Sequence, residues 1–380
     1  MKPVVSLRAV ADYERSNIGE GLQRLLEPLG GISAFVGKGQ RVLIKPNMLS
    51  GKDPDKAVTT HPELVRAVIC QVIDAGGIPL VGDSPGIGTP KQVARSCGIA
   101  AVIEETGATF APFTESVPAS SASGIFHKLE LARDVLDADV VINLPKLKTH
   151  QMMGLTCGVK NLFGAVVGMR KPQLHLQAGT DKAFFAHMLL ELCDAIAPAL
   201  TIVDAVTAME GEGPGSGDPV HVGVLLASAD PVALDTVATC LVGLPQEAVW
   251  TQKVAREQGR PGSDLSGLQM VGDSLGALRP AVFRPAKSTD VNFGLPDWVR
   301  GPLRQAVTAT PAVDDELCLA CGLCARHCPP EAMSIEEGRL QIDYKRCIRC
   351  FCCQELCPHE ALRTRQGLLL RLARFLGGKP

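Results

Sequence analysis

The chain has 380 residues, of which 46% are hydrophobic and 21% are charged, as in an ordinary globular protein with a large core. A net charge of −2 and an aromatic content of 4% argue against nucleic-acid binding, which relies on basic surfaces and stacking side chains. The first residues lack the apolar segment of a signal peptide, and no apolar run is long enough for a transmembrane segment. We therefore expect a cytoplasmic protein with no transmembrane segment and no nucleic-acid partner.

Strand and helix patterns alternate through the first 295 residues. Short apolar runs that end in polar residues predict strands, and amphipathic segments that stop at Gly or Pro predict helices. Because this alternation is typical of βαβ units, we expect an α/β fold with a mainly parallel sheet and helices on both faces. The predicted strands are RVLIKP, IPLVGDSPG, DVVINLPKLKTH (a strand followed by a polar loop) and LTIVDAV, and the predicted helices are HPELVRAVICQVIDAGG, PKQVARSCGIAAVIEETG, KAFFAHMLLELCDAIAP and DPVALDTVATCLVG.

The pattern changes near residue 295, where prolines interrupt any long element. We predict a large α/β domain over residues 1–295 and a linker over residues 296–312. A small α+β ferredoxin-like iron–sulfur domain is expected over residues 313–362, and a C-terminal helix or tail over residues 363–380.

Fourteen cysteines in a reducing compartment indicate metal or redox chemistry rather than disulfides. Nine of them lie between Cys318 and Cys357, and eight of these form two runs that share the spacing C-x₂-C-x₂-C-x₃-C-P. This spacing is typical of bacterial ferredoxins with two clusters. Zinc also binds C-x₂-C pairs, but it needs neither the third Cys of each run nor the repeated Pro. The chain is therefore predicted to bind two [4Fe–4S] clusters.

The spacing also assigns the ligands. Three thiolates of a run share one loop and bind one cluster, whereas the fourth thiolate binds the other cluster. Cys352 has no counterpart in the first run and breaks the duplication, so we expect a packed thiol there, with a ligand exchange as the alternative. The predicted ligands are Cys318, Cys321, Cys324 and Cys357 for cluster I, and Cys347, Cys350, Cys353 and Cys328 for cluster II.

Basic residues surround the cysteine runs. They either attract an acidic electron donor or are ordinary solvated charges. We expect the donor to be a protein of ferredoxin or flavodoxin type. The basic residues are Arg326, His327, Lys345, Arg346 and Arg349.

Polar side chains follow the predicted strands of the large domain. Ligands of open parallel sheets bind outside the carboxyl ends of the strands, so these side chains should meet in one crevice. The Gly-rich segment GLTCGVKNLFGAVVGMRK adds Lys160 and Asn161 to the crevice. The side chains at the strand ends are Lys45, Asn47, Asp83, Ser84, Asn143, Lys146, Lys148, His150 and Asp204.

This set predicts a cationic site for a small anionic substrate. Lys148 and Lys160 would stabilise negative charge as it develops, and His150 or His61 would supply a proton near neutral pH. The remaining crevice residues would bind the substrate, with Asp83 and Asp204 holding the cations. The alternative is that the lysines are solvated and that GDSPG is a simple turn. No phosphate-binding loop or dinucleotide fingerprint is present, so the sequence indicates neither a flavin nor an additional metal and leaves both open.

The same segments carry a family resemblance. VLIKPN, TTHPELV, NLPKLKTH, GVKNLFGAVVG, IVDAVTAMEGEGPGSGDP and ASADPVALD resemble the DUF362 family over about residues 3–245. Members of that family often have a ferredoxin module attached, and the resemblance implies the same architecture here.

Three functions are compatible with this architecture. The first is an enzyme, a ferredoxin-type reductase that passes low-potential electrons to an anion in the crevice. The second is an electron-transfer or assembly subunit that docks a partner enzyme, and the third is a redox-responsive binding protein. Two clusters favour electron flow over sensing, because a sensor needs only one labile cluster. Direct reduction requires the iron–sulfur module to fold back against the loops around residues 146–175.

Anaerobically purified protein should contain about eight irons per chain, with matching sulfide, because the two cysteine runs together are predicted to bind two four-iron clusters. Iron and acid-labile sulfide analysis measures both quantities. Stoichiometric zinc without a visible charge-transfer band would contradict the assignment.

Overall fold

The computed structural model describes residues 2–119, 126, 129–168, 170–287 and 309–366. Most of the predicted linker and most of the predicted C-terminal helix or tail lie outside the described residues.

Strands and helices alternate through the large domain, which confirms the α/β fold. In chain order, the strands are β1 (Val4–Ala9), β2 (Arg41–Pro46), β3 (Ile78–Val81), β4 (Thr109–Phe110), β5 (Ser116–Pro118), β6 (Glu130–Ala132), β7 (Val140–Leu144), β8 (Lys146–His150), β9 (Gly154–Thr156), β10 (Leu200–Glu210), β11 (Asp218–Ser228), β12 (Gln269–Gly272), β13 (Ala309–Val313), β14 (Met333–Glu336), β15 (Arg339–Ile342) and β16 (Leu362–Gln366). The helices are α1 (Arg15–Leu26), α2 (Pro62–Asp74), α3 (Pro90–Ser96), α4 (Ile99–Thr106), α5 (Arg133–Leu136), α6 (Gly158–Asn161), α7 (Arg170–Ala178), α8 (Lys182–Ile196), α9 (Pro231–Leu241), α10 (Trp250–Glu257), α11 (Leu275–Leu278), α12 (Leu323–Arg326) and α13 (Cys352–Leu356).

One large sheet organises this domain, with the strand order β12-β1-β11-β10-β7-β2-β3-β4. Neighbours from β10 to β4 run parallel, whereas β11 is antiparallel to both β1 and β10. Apolar side chains of α1 and α2 pack on one face, and those of α8 pack on the other. The carboxyl ends of β2, β3 and β7 therefore meet at one edge, where the predicted crevice residues lie.

Two elements differ from their sequence predictions. The segment after β7 is strand β8 rather than a polar loop, and it pairs with β10 and β9. This segment was predicted as a polar loop, with solvated lysines as the alternative to a binding site, yet all five of its residues are buried. The predicted helix PKQVARSCGIAAVIEETG is divided into α3 and α4 because Gly98 adopts a φ of 78°, which ends a right-handed helix.

The iron–sulfur module keeps the repeat of the sequence in its backbone. Left-handed φ values occur at Ala320 and Gly322 in the first cysteine run, and they recur at the equivalent positions of the second run, Arg349 and Phe351. Helices α12 and α13 also begin at equivalent positions of the two runs. The module pairs β13 with β16 and β14 with β15. Its first strand thus begins inside the segment predicted as linker, and its last strand ends inside the predicted tail.

Polar contacts hold this module against the large domain. Lys52 Nζ donates to Glu360 Oε1 at 3.0 Å. Glu212, in the loop between β10 and β11, accepts from Gln354 Nε2 at 3.1 Å and from the backbone N–H of Thr364 at 3.4 Å. The module therefore packs on the edge of the sheet where the predicted crevice residues lie.

Gly82, directly after β3, has no room for a side chain. A Cβ atom there would lie 2.2 Å from the carbonyl oxygen of Ala111 and 2.9 Å from the Phe113 ring. Gly82→Ala should therefore lower the free energy of unfolding by about 1–3 kcal/mol, as overpacked sites do. Urea unfolding followed by circular dichroism measures this change.

Gly19→Ala is the matched control, because a Cβ at Gly19 in α1 would meet no atom within 4 Å. It should leave stability unchanged or raise it by up to about 1 kcal/mol. Equal unfolding midpoints for Gly82→Ala and the wild type would contradict this prediction. They would show that the backbone at Ala111 can shift at little energetic cost to accommodate the added methyl group.

Candidate functional site

A cavity of about 310 Å³ lies between the iron–sulfur module and the edge of the sheet where β2, β3 and β7 end. Its size falls at the lower end of pockets for small molecules. We call this cavity the crevice. The predicted residues that line it are Asn47, Asp83, Ser84, Lys148, His150, Lys160 and Asn161.

Lys45 and Asn143 are predicted binding residues that do not line the crevice. Lys45 Nζ pairs with Asp83 Oδ1 at 2.7 Å and donates to the carbonyl of Asn161 at 2.7 Å. Asn143 Oδ1 accepts from Asn161 Nδ2 at 2.8 Å. Neither side chain lines the crevice, and both contact residues that do line it.

Lys146, Asp204 and His61 form a separate cluster with Tyr13, which corrects their assignment to the substrate site. Lys146 Nζ pairs with Asp204 Oδ2 at 2.7 Å, and Tyr13 Oη donates to Asp204 Oδ1 at 2.6 Å. The His61 ring stacks on Tyr13 at 3.6 Å, and its backbone N–H donates to Asp204. Burial lowers the pKa of His61. These groups satisfy one another and do not line the crevice, so His61 is not placed to protonate a substrate there.

Lys148 is a buried cation that faces the crevice without a carboxylate partner among the described residues. Its Nζ donates to the carbonyl of Val58 at 2.7 Å and to Asn47 Oδ1 at 3.1 Å. Burial lowers its pKa to about 7. This pKa lies near neutrality, where the sequence analysis expected a histidine to titrate.

Lys160 lies in α6, whose first turn is held by Asp235. The Asp235 carboxylate accepts from the backbone N–H groups of Gly158 at 2.6 Å and Val159 at 3.1 Å. Lys160 is only 8% exposed, and its Nζ lies 4.8 Å from the centre of the Phe163 ring. In the described part of the chain, its ammonium group has neither a hydrogen bond nor an ion pair. Burial lowers its pKa.

His150 is held as a neutral imidazole. Its Nδ1 accepts from the backbone N–H groups of Met152 and Met153 at 3.1 and 3.2 Å, so the proton belongs on Nε2. Burial also lowers its pKa. The expectation of a histidine that titrates near neutrality is therefore wrong for His150. Its Nε2 lies 3.0 Å from Glu355 Oε1, but within the described residues neither atom has a well-aligned hydrogen bond.

The crevice also includes Lys171, His175 and Glu355, which were not among the predicted site residues. Lys171 and His175 are four residues apart on α7, and this helical spacing is the signal that could have found them. Burial lowers the pKa of Lys171 to about 7 and that of His175 to about 3. Burial alone would raise the pKa of Glu355, but His150, whose Nε2 lies 3.0 Å from Glu355 Oε1, and the charge of Lys160 lower it to about 2. Glu355 lies within a cysteine run, where no pattern marks it.

The iron–sulfur module forms one wall of the crevice. Helices α12 and α13 both contribute to this wall. Direct reduction of a crevice ligand requires this arrangement of the module. The lining residues from the module are Leu323, His327, Cys352, Glu355 and Leu356.

The cysteines fit the crossed ligand assignment. Burial, followed by the nearby thiols of Cys350 and Cys347, raises the pKa of Cys328, which puts Cys328 beside the second run. Within the described residues no three His, Cys, Asp or Glu side chains are placed to hold a single metal ion, whereas a four-iron cluster needs wider spacing. The thiols that surround one shared cavity are those of Cys318, Cys321, Cys324 and Cys357.

Backbone donors repeat around both sets of thiols. The N–H of Ala332 donates to Cys328 Sγ, and the N–H of Ala361 donates to Cys357 Sγ, each at 3.3 Å. Hydrogen bonds to cluster sulfurs are a feature of iron–sulfur proteins. The two cysteine runs therefore share this hydrogen-bond pattern.

Lys148 makes stability depend on pH. Its pKa falls from 10.5 to about 7 through burial, so between these values the unfolded chain binds a proton that the folded chain lacks. The contribution of Lys148 to stability therefore rises with pH across this window and is lowest below pH 7. Lys148→Met removes this titrating group. When the pH is raised from about 7 to about 9, the free energy of unfolding of the variant should therefore fall by about 2 kcal/mol relative to that of the wild type.

Urea unfolding at both pH values measures this difference, with the exposed Lys38→Met as control. The free energy of unfolding of the control should change between the two pH values as that of the wild type does. A Lys148→Met variant that also follows the wild type would show that Lys148 carries its charge throughout this range.

Comparisons with known proteins agree with this two-part architecture. Residues 42–240 match a family described as a domain of unknown function, DUF362, and residues 310–358 match the 4Fe–4S dicluster domain. A thylakoid-associated protein of Synechocystis sp. is 43% identical over 255 residues, which cover 67% of this chain and 79% of that protein. Across the described ranges, no helix has the length and apolar character needed to cross a membrane.

Two solved structures are more distantly similar. The lactate racemase apoprotein from Thermoanaerobacterium thermosaccharolyticum has a TM-score of 0.40 and 14% identity, over 63% of this chain and 57% of that chain. A protein from Thermotoga maritima has a TM-score of 0.35 and 14% identity, over 57% of this chain and 56% of that chain. The chain thus spans little more than half of either solved chain. The two domain matches and the Synechocystis relative together show that the chain belongs to the DUF362 family and carries a 4Fe–4S dicluster domain, which supports iron–sulfur clusters and a part in electron transfer.

Proposed function

We propose that this protein is an iron–sulfur oxidoreductase that passes low-potential electrons from two [4Fe–4S] clusters to a small anionic substrate in the crevice. The main support is that Lys160 of the large domain and Cys352 of the iron–sulfur module line the same cavity. A ligand in that cavity would touch both the cationic groups and the wall formed by the module. An electron-transfer subunit without a substrate of its own has no need of such a cavity.

An unpartnered ammonium group supports binding of an anion. Lys160 lines the crevice and has no ion-pair partner in the described part of the chain, whereas His150 Nε2 already has the Glu355 carboxylate at 3.0 Å. Buried donors without partners are costly, so a site that contains them suits a ligand that accepts hydrogen bonds. Phe163 and Leu356 add apolar lining. The crevice therefore favours a carboxylate or similar anion with an apolar body.

The chemistry needs electrons, a proton and stabilised charge. Bound clusters supply single electrons at low potential. Lys160 would stabilise the negative charge that reduction adds to the substrate. Lys148, with a pKa of about 7, would supply the proton and regain one from solvent. A carrier protein of ferredoxin or flavodoxin type would be oxidised by one electron for each electron that the substrate gains.

Binding of a simple anion tests the proposal, with benzoate and inorganic phosphate as probes in calorimetric titrations of anaerobic protein. Benzoate should bind more tightly than phosphate, because only benzoate has an apolar body. Lys160→Ala should weaken benzoate binding by roughly 10- to 100-fold, the effect expected when a charged hydrogen-bond donor is lost.

Lys38→Ala is the matched control, because Lys38 is exposed and does not line the crevice. It should bind benzoate as the wild type does. Native mass spectrometry of the purified protein should also reveal any anion retained from the cell. A protein that binds neither probe and retains no anion would contradict the proposal and favour an electron-transfer or assembly subunit.

A further inference from the structure

Three asparagine side chains form a chain of hydrogen bonds that ends at Lys148. Asn143 Nδ2 donates to the backbone carbonyl of Gly158 at 2.9 Å. Asn161 Nδ2 donates to Asn143 Oδ1 at 2.8 Å, and Asn47 Nδ2 donates to Asn161 Oδ1 at 2.8 Å. Asn47 Oδ1 then accepts from Lys148 Nζ at 3.1 Å. The lysine and the three asparagines are buried, and they come from four different segments of the large domain.

The carbonyl of Gly158 fixes the direction of every amide in this chain. A carbonyl oxygen can only accept, so Asn143 turns its NH₂ group toward Gly158 and its oxygen toward Asn161. The same requirement passes through Asn161 to Asn47, so Asn47 presents an oxygen to Lys148. An N–H of Lys148 must therefore face Asn47 whether the lysine is charged or neutral.

A second acceptor occupies another position on the Lys148 nitrogen. The backbone carbonyl of Val58 accepts from Nζ at 2.7 Å. One position on Nζ then remains, and within the described ranges it has no hydrogen-bond partner. This position holds a third N–H in the charged lysine and the lone pair in the neutral lysine. Because Lys148 lines the crevice, a ligand bound there is the group that this position can meet.

We propose that this chain of amides is a positioning device for Lys148, which presents the remaining position on Nζ to a ligand in the crevice. The charged lysine donates a hydrogen bond to the ligand, and the neutral lysine accepts one. When a proton passes from Nζ to the ligand, the N–H bond at that position breaks and its electron pair stays on nitrogen. The contacts with Asn47 and Val58 are the same before and after. The inference rests on the proposed function for the presence of a ligand, but not for the role of the amides.

Other charged groups also act on Lys148, from the elements packed around it. Glu355 and Asp83 favour its charged form, whereas Lys160 and Lys146 disfavour it. The substitutions in the test below keep all four of these groups. A change in the titration of Lys148 therefore reports on the amide chain.

The test measures the pH at which Lys148 titrates in the folded, ligand-free chain. The free energy of unfolding of each protein is compared with that of the same protein carrying Lys148→Met, from about pH 5 to about pH 10. The difference begins to rise with pH at the folded-state pKa of Lys148. Asn47→Leu removes an acceptor and should lower this pH by about one unit. Asn47→Asp places a carboxylate beside Nζ and should raise it by about 1–3 units.

A variant at the far end of the chain tests the positioning itself. Asn143 does not contact Lys148, yet Asn143→Leu should lower the titration of Lys148 in the same direction as Asn47→Leu. The double variant should lower it no further than Asn47→Leu alone, because both changes act through one hydrogen bond. Asn17→Leu is the matched control, since Asn17 is an exposed asparagine of α1, and it should leave the titration unchanged.

Opposite shifts in the two Asn47 variants separate positioning from a purely structural role, because a general loss of stability does not move a titration. An unchanged titration in Asn143→Leu, or in both Asn47 variants, overturns the proposal. If leucine at position 143 prevents folding, Asn143→Ala takes its place with the same expected result. Wild-type protein that binds neither benzoate nor phosphate would contradict the proposed function, whereas the shifts measured without ligand would still support the role of the amides.

Discussion

Burial of cations at the crevice edge is the constraint on which much of this structure depends. Lys45, Lys146 and Lys148 are each no more than 1% exposed, so protein groups must replace the water that these ammonium groups lose. The carboxylate of Asp83 pairs with the ammonium of Lys45, and that of Asp204 pairs with the ammonium of Lys146, so each ion pair offsets the lost hydration. These contacts connect different segments of the large domain, and the Lys45–Asp83 pair holds a side chain that lines the crevice.

Lys148 shows what happens when that compensation is incomplete. It has a carbonyl and an amide oxygen as partners but no carboxylate within ion-pair distance among the described residues. Its pKa therefore falls to about 7, whereas a lysine in water stays charged far above neutrality. The same burial that stabilises the position of a side chain can thus prepare it for proton exchange.

The sequence predicted those features that depend on local patterns. Alternating strands and helices follow from hydrophobic periodicity. The crossed cysteine assignment follows from spacing alone and stays a prediction. Strand β8 was missed because Lys146 and Lys148 are polar, and only contacts with distant segments make them buried strand residues. Glu355 was missed for the same reason: its place in the crevice depends on how the module packs against the large domain.

The wall that α12 and α13 form has a kinetic consequence. A separate ferredoxin would reach the crevice by diffusion, at a rate that depends on its concentration and on salt. Here the module is joined to the same chain and held by contacts such as Lys52 to Glu360. In the proposed function, transfer from module to crevice would then be a first-order event, independent of protein concentration. The encounter with an external carrier protein would remain bimolecular, so dilution would slow the loading of electrons but not their delivery.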